Sequence, residues 1–202
     1  MKRKLFAAVM IIFIGVLSAF AQNDSLKSTG SNDDATQQIT EFLDQAEQIR
    51  SKNPEQSIEY AQKALQLAEK TGNYELQRKS EYLIGFAHYI QNDFTNALIH
   101  LDKSLTLSKK ASYKEGEAAA LNRMGNTYQL MGQYEQALEK YKLAMAINKG
   151  IDNKPEIART LTNLGSIYRL YGNYELAINQ HLDALSLYEG LQNNEGIAWS
   201  SL

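Results

Sequence analysis

The side chains best suited to chemistry in this 202-residue chain are three histidines, His88, His100 and His181, and 12 tyrosines. A histidine titrating near neutrality can serve as a general base or a metal ligand, and a tyrosine ring can stack on a base or a sugar. The surroundings offer neither role any support. There is no HExxH pair, no GxGxxG turn, no phosphate loop ending in Gly-Lys-Ser/Thr and no GxSxG elbow. Cysteine is absent, which removes thiolate metal sites and disulfide frameworks together. The carboxylates are dispersed among Lys and Gln rather than set in pairs for general acid and base work. No catalytic residue, metal site or cofactor is therefore expected within these residues, and the chain reads as non-enzymatic unless a catalytic domain lies beyond residue 202.

The elements that position these residues follow from a repeat of 40 residues. Leu65, Leu105, Met145 and Leu185 share one phase, Ala64, Ser104, Ala144 and Ala184 a second, and Gly85, Gly125 and Gly165 a third. Within a unit, Leu121, Met124, Tyr128 and Met131 step by three and four, as do Tyr134, Leu138, Tyr141 and Met145, so each unit is two helices. The break falls at Gly132, at Gly172 and at Gln91-Asn92-Asp93, residue types that accept the left-handed conformation ending a helix. Gly125, Ala137 and Ala144 mark the line where the paired helices approach closely. Five of the tyrosines, Tyr128, Tyr134, Tyr141, Tyr168 and Tyr174, sit at core phases and are expected to fill gaps rather than stack ligands. His88 takes the phase of Tyr128 and Tyr168, and His181 that of Leu101 and Tyr141, while His100 falls with Lys140 and Gln180 on a face expected to meet solvent.

The pattern Leu121-x2-Met124-Gly125-x2-Tyr128, then Gly132-x-Tyr134-x2-Ala137-x3-Tyr141-x2-Ala144, resembles the tetratricopeptide repeat, and Leu161 to Ala184 repeats it. The period is longer than the usual 34 residues of that family, as in kinesin light chains and many bacterial signalling proteins. The resemblance implies an all-α fold, a right-handed superhelical solenoid of antiparallel helix pairs. The units are expected at 34–73, 74–113, 114–153 and 154–193, with 194–202 beginning a fifth that is cut short. The first is atypical: Gln45 replaces the repeated glycine, Lys52 the turn glycine, and Pro54 opens its second helix, as suits a capping unit. Stopping partway through a fifth unit suggests a fragment of a longer protein.

Before the repeats, Lys2, Arg3 and Lys4 precede an apolar run from Leu5 to Leu17, and Ala19-Phe20-Ala21 supplies a small-x-small cleavage pattern. This is the form of a secretory signal peptide over residues 1–21. Residues 22–33 are polar and bear Gly and Ser, as a flexible linker does. Cleavage removes three of the 21 cations and none of the 23 anions, leaving a net charge near −5 that argues against a nucleic-acid partner. Export, no cysteine and no C-terminal retention signal point to a bacterial periplasm.

A solenoid of helix pairs has a concave groove lined by the first helix of each unit, and in the resembled family that groove holds extended peptides or partner helices. The candidates there are Lys79, Tyr82 and Phe86 in the second unit, Asn122, Arg123, Asn126 and Gln129 in the third, and Arg159, Asn163, Ser166 and Arg169 in the fourth. An asparagine amide both donates to and accepts from a peptide backbone, and arginine takes carboxylates through two parallel N–H groups. The lysines that a chaperone-type clamp for acidic C-termini would need are missing. The expected role is a protein- or peptide-binding scaffold. The resemblance places it as the N-terminal periplasmic part of a bacterial signalling receptor, of histidine kinase, DNA-binding regulator or cyclase type, with a membrane helix downstream and no membrane insertion of the mature region itself. A free-standing exported scaffold is the alternative.

Overall fold

A computed structural model describes residues 33–193 and 196. The signal peptide, nearly all of the linker and the continuation of a fifth unit lie outside the described residues. Asp33, assigned to the linker, is already helical, a one-residue difference at a helix end.

Eight helices make up the described residues: α1 (33–49), α2 (Pro54–Thr71), α3 (Tyr74–Ile90), α4 (Phe94–Lys110), α5 (Lys114–Leu130), α6 (Tyr134–Gly150), α7 (Lys154–Leu170) and α8 (Tyr174–Gly190). From α3 onward a helix starts every 20 residues and each is 17 residues long. One chemical device sets this beat. Gly72, Asn92, Ser112, Gly132, Asp152, Gly172 and Gln192 all have left-handed backbones, with φ between 52° and 73°. Each turn then returns two N–H groups to the helix just ended, as where Gly132 donates to the Gln129 carbonyl (3.0 Å) and Gln133 to that of Tyr128 (2.9 Å).

The next residue opens the following helix. Asn53, Asn73, Asp93, Asn153 and Asn173 accept a backbone N–H through their side chains, satisfying donors that the first turn leaves orphaned. Asn193 does the same for the N–H of Gly196, at 3.0 Å. At the third pair Tyr113 and Gln133 occupy these positions without a side-chain cap. Pro54 stands at the first position of α2, where its missing N–H costs nothing.

Within a pair, the repeated glycine is the seat of one large side chain from the second helix. A Cβ on Gly125 would lie 2.5 Å from the Tyr141 ring, one on Gly165 2.7 Å from His181, and one on Gly85 3.0 Å from Leu101. These partners share one 40-residue phase, so the glycine is fixed by what lies on it. His181 is thus a packing residue, as its phase indicates; burial, with the nearby Arg169 charge, lowers its pKa.

The apolar side chains form three buried clusters, around Leu43 and Ile84, around Leu101 and Met124, and around Tyr141 and Leu164. Tyr82 bridges the first two and Tyr128 the last two, so the core runs along the stack instead of filling a centre. α1 buries the stripe Ile39, Leu43 and Ala46. None of the described helices is long and apolar enough to cross a membrane.

Candidate functional site

The first helices of successive pairs touch, α3 with α5 and α5 with α7, whereas the second helices α2, α4, α6 and α8 never meet one another. Elements on the inside of a curve crowd and those on the outside spread. The odd-numbered helices are therefore the concave wall, and the sequence candidates all lie on α3, α5 or α7.

The centre of that wall is a column of guanidinium and aromatic groups. Arg50, just after α1, stands 4.3 Å from the Phe86 ring centre. Arg123 stands 4.3 Å from the same ring and 5.0 Å from that of Tyr89. Attraction to the negative face of a ring holds a cation in place at modest desolvation cost. Phe86 is only 7% exposed beneath them, so it is a platform and not a groove contact as the sequence suggested. Arg50 has its own carboxylate, Glu47 at 2.7 Å. Among the described residues Arg123 has no carboxylate within ion-pair distance, and its Nε is buried without a partner.

One turn further along α5, a phenol orders three amides. The Tyr141 hydroxyl lies 2.7 Å from Asn126 Oδ1 and 2.9 Å from the Gln129 amide, and Asn163 Nδ2 lies 3.2 Å from Asn126 Oδ1. The hydroxyl is the donor in both contacts, its one proton directed between Asn126 Oδ1 and Gln129 Oε1. Both lone pairs of Asn126 Oδ1 are then used, and its NH2 has no partner among the described residues. Burial, with the adjacent Tyr89 hydroxyl, pushes the Tyr141 pKa well above the tyrosine range, so the phenol keeps its proton.

Other candidates land elsewhere. Asn122 is 3% exposed and accepts a hydrogen bond from Thr160 Oγ1 at 3.2 Å, so it ties α5 to α7 from the inside and corrects its assignment to the groove. Tyr82, partly buried, packs between two clusters, a third correction. Lys79 reaches Asp44 at 3.8 Å, Arg159 is paired with Glu156, and Ser166 donates to the Thr162 carbonyl at 3.1 Å. Arg169 is exposed near the end of α7. Arg159 also lines a pocket of about 220 Å³ with Arg78, Tyr113, Glu115 and Gly116. Arg78, absent from the sequence candidates, stacks 4.2 Å over the Tyr113 ring there.

His100 does not face solvent as its phase implied. It is 2.6 Å from Glu81, whose side chain is 6% exposed and has Lys103 at 3.7 Å as a second cationic partner. The signal was present: Glu81 occupies the phase of Leu121 and Leu161, and a carboxylate at a core phase must bring its counter-charge. His88 stacks on His100 at 5.5 Å and sits 3.2 Å from Asp93. Among the described residues no group of three His, Asp or Glu converges as a metal site.

Residues 116–190 match the family model of the tetratricopeptide repeat. Comparison with curated protein sequences gives no match. Among solved structures, a Rap protein complexed with competence and sporulation factor is 21% identical at a TM-score of 0.77, over 83% of this chain and 47% of that one. A signal transduction ATPase with numerous domains and a tetratricopeptide repeat sensor, from Pyrococcus horikoshii, is 20% identical at 0.71, over 80% of this chain and 25% of that one. Kinesin light chain-like repeats from Podosopora anserina are 16% identical at 0.63, over 80% and 81%. The chain spans about half of the Rap protein and a quarter of the ATPase. The fold is thereby that of a tetratricopeptide-like solenoid.

Proposed function

We propose that the chain is a non-enzymatic scaffold that binds a peptide or protein segment along the concave wall of α3, α5 and α7. The observation that carries this reading is Arg123: a cation fixed on two rings, on the inner wall, with no carboxylate among the described residues within ion-pair distance. A fold does not need such a group, and a partner can use it. Two structures of the same fold support the reading, a Rap protein in complex with a factor and an ATPase with a tetratricopeptide repeat sensor. The test is capture of a random ten-residue peptide library by the wild-type chain and by Arg123→Ala and Asn163→Ala. Reduced capture by either variant at an unchanged melting midpoint supports the groove; equal capture by all three chains refutes it.

The setting we infer is the exported N-terminal region of a bacterial signalling receptor, supported by Lys2-Arg3-Lys4, the apolar run that follows and Ala19-Phe20-Ala21. A free-standing exported scaffold is the second reading, resting on the same segment. Fusing residues 1–33 to a reporter active only after export tests what the two share. Retention of the reporter inside the cell overturns both.

A further inference from the structure

We propose that the α3–α4 turn is an acid-operated switch: a proton on His88 draws the Asp93 carboxylate away from the α4 cap and loosens the second unit. The device belongs to the fold and does not depend on what the concave wall binds. Asp93 has two duties that compete. Its Oδ1 accepts the Asn96 backbone N–H at 3.3 Å, capping α4, and its Oδ2 accepts the Asn96 amide at 2.7 Å. The same Oδ2 lies 3.2 Å from His88 Nδ1, which is buried and lacks hydrogen-bond alignment there. A neutral ring tolerates an unaligned contact. An imidazolium does not, because a buried charge needs a bonded partner, so Asp93 must turn from Asn96 to meet it.

The neighbouring ring makes His88 the sensitive member. His100 stacks on it with centres 5.5 Å apart and planes within 10°. His100 is itself 2.6 Å from Glu81, whose side chain is nearly buried and has Lys103 as a further cation at 3.7 Å. A proton on His100 answers that buried carboxylate, and a second one on His88 then faces a like charge across the stack. Burial lowers the His88 pKa; Asp93 opposes this, and the His100 charge adds to it. Stability owed to a neutral His88 is therefore complete above the ordinary value of 6.5 and is lost as pH falls from there through the lowered folded value, since the unfolded chain takes the proton first. α2 and α5 also pack against α3, and among the described residues neither brings a carboxylate within ion-pair distance of either ring. Phe86 and Tyr89 flank His88 on α3, so the helix end that loosens is the one that seats Arg123.

Hydrogen exchange of the intact chain, followed by mass spectrometry at about pH 7.5 and about pH 5.5, tests this. The third unit is the internal control, because Tyr128, Gln133 and Lys140 stand where His88, Asp93 and His100 stand in the second. With each segment referred to its unfolded exchange rate, acid is expected to lower the protection of residues 86–98 roughly fivefold relative to residues 126–138. His181, whose pKa is also lowered, lies in the fourth unit and leaves that ratio untouched. His88→Gln takes no proton and should hold the ratio constant. Asp93→Asn caps a helix as well as aspartate does but supplies no charge, and should keep the first turn of α4 protected at the lower pH. Melting midpoints near that of the wild type at the higher pH qualify both variants as folded. A wild-type ratio that does not change with pH overturns the proposal, as does a fall that persists in His88→Gln. An equal fall in Asp93→Asn also overturns it, because the loosening would then owe nothing to the carboxylate.

Discussion

Tyr141 shows how one residue can serve packing and binding together. Its ring lies on Gly125, where a Cβ would come within 2.5 Å, and its hydroxyl orders Asn126 and Gln129 on the wall. Gly125→Leu is accordingly expected to cost about 1–3 kcal/mol or more by overpacking, read as a fall in the urea midpoint. Tyr141→Phe keeps the ring but leaves Gln129 unanswered and Asn126 Oδ1 with Asn163 alone, a loss of about 1 kcal/mol with weaker peptide capture. The phenol also sets a pH dependence. Its pKa is raised in the fold, so stability is full below the ordinary value of 10.0 and falls as pH rises above it, because the unfolded chain releases the proton first. Melting midpoints between pH 9 and 11 should fall for the wild type and fall less for Tyr141→Phe. The sequence showed that Gly125 is a close-contact residue but not what lies on it. Periodicity assigns a phase, and the partner across the pair emerges only when two helices have a fixed crossing. For the same reason Gln129, a groove candidate from the sequence, proves to be bonded to the phenol as well.

At the scale of elements the repeat is really a beat of 20 residues, with a left-handed residue closing each helix from α2 to α8 and, at most junctions, a capping residue after it. The series Asn53, Asn73, Asp93, Asn153, Asn173 and Asn193 was visible in the sequence once the 40-residue step was halved. It breaks at Tyr113 and Gln133, which cap nothing through their side chains. Gln133→Asp should therefore add a cap to α6 and stabilise the chain by about 0.5–2 kcal/mol, while Asn173→Ala should remove one and cost a similar amount. Thermal midpoints moving in opposite directions would bear this out, and a shift of the same sign in both would count against it. The ion cluster of Glu81, His100 and Lys103 was less legible, because it breaks the pattern that reveals everything else. A buried carboxylate replaces leucine, and His100 turns inward to answer it.

At the scale of the whole molecule, stability is a sum over neighbours, and each pair covers the face left open by the one before it. Tyr134 and Leu138 on α6 are half-buried against the following pair, with Tyr134 meeting the Tyr171 ring edge-on at 6.0 Å. Their equivalents on α8, Tyr174 and Ile178, are 66% and 57% exposed. The sequence makes these positions alike, and only their place in the stack makes them differ, so identical substitutions should have unequal results. Leu138→Lys would bury an ammonium group between two pairs and is expected to cost several kcal/mol, enough to separate the melting of the N-terminal and C-terminal halves. Ile178→Lys replaces a side chain already in water and should leave the midpoint within about 0.5 kcal/mol of the wild type. It should also lower any tendency of the chain to self-associate at high concentration, since it removes apolar surface that α8 exposes. Paired denaturation curves and sedimentation of the two variants measure both effects. Equal destabilisation by Leu138→Lys and Ile178→Lys would mean that α8 is covered, and the neighbour-by-neighbour account of this solenoid would fail.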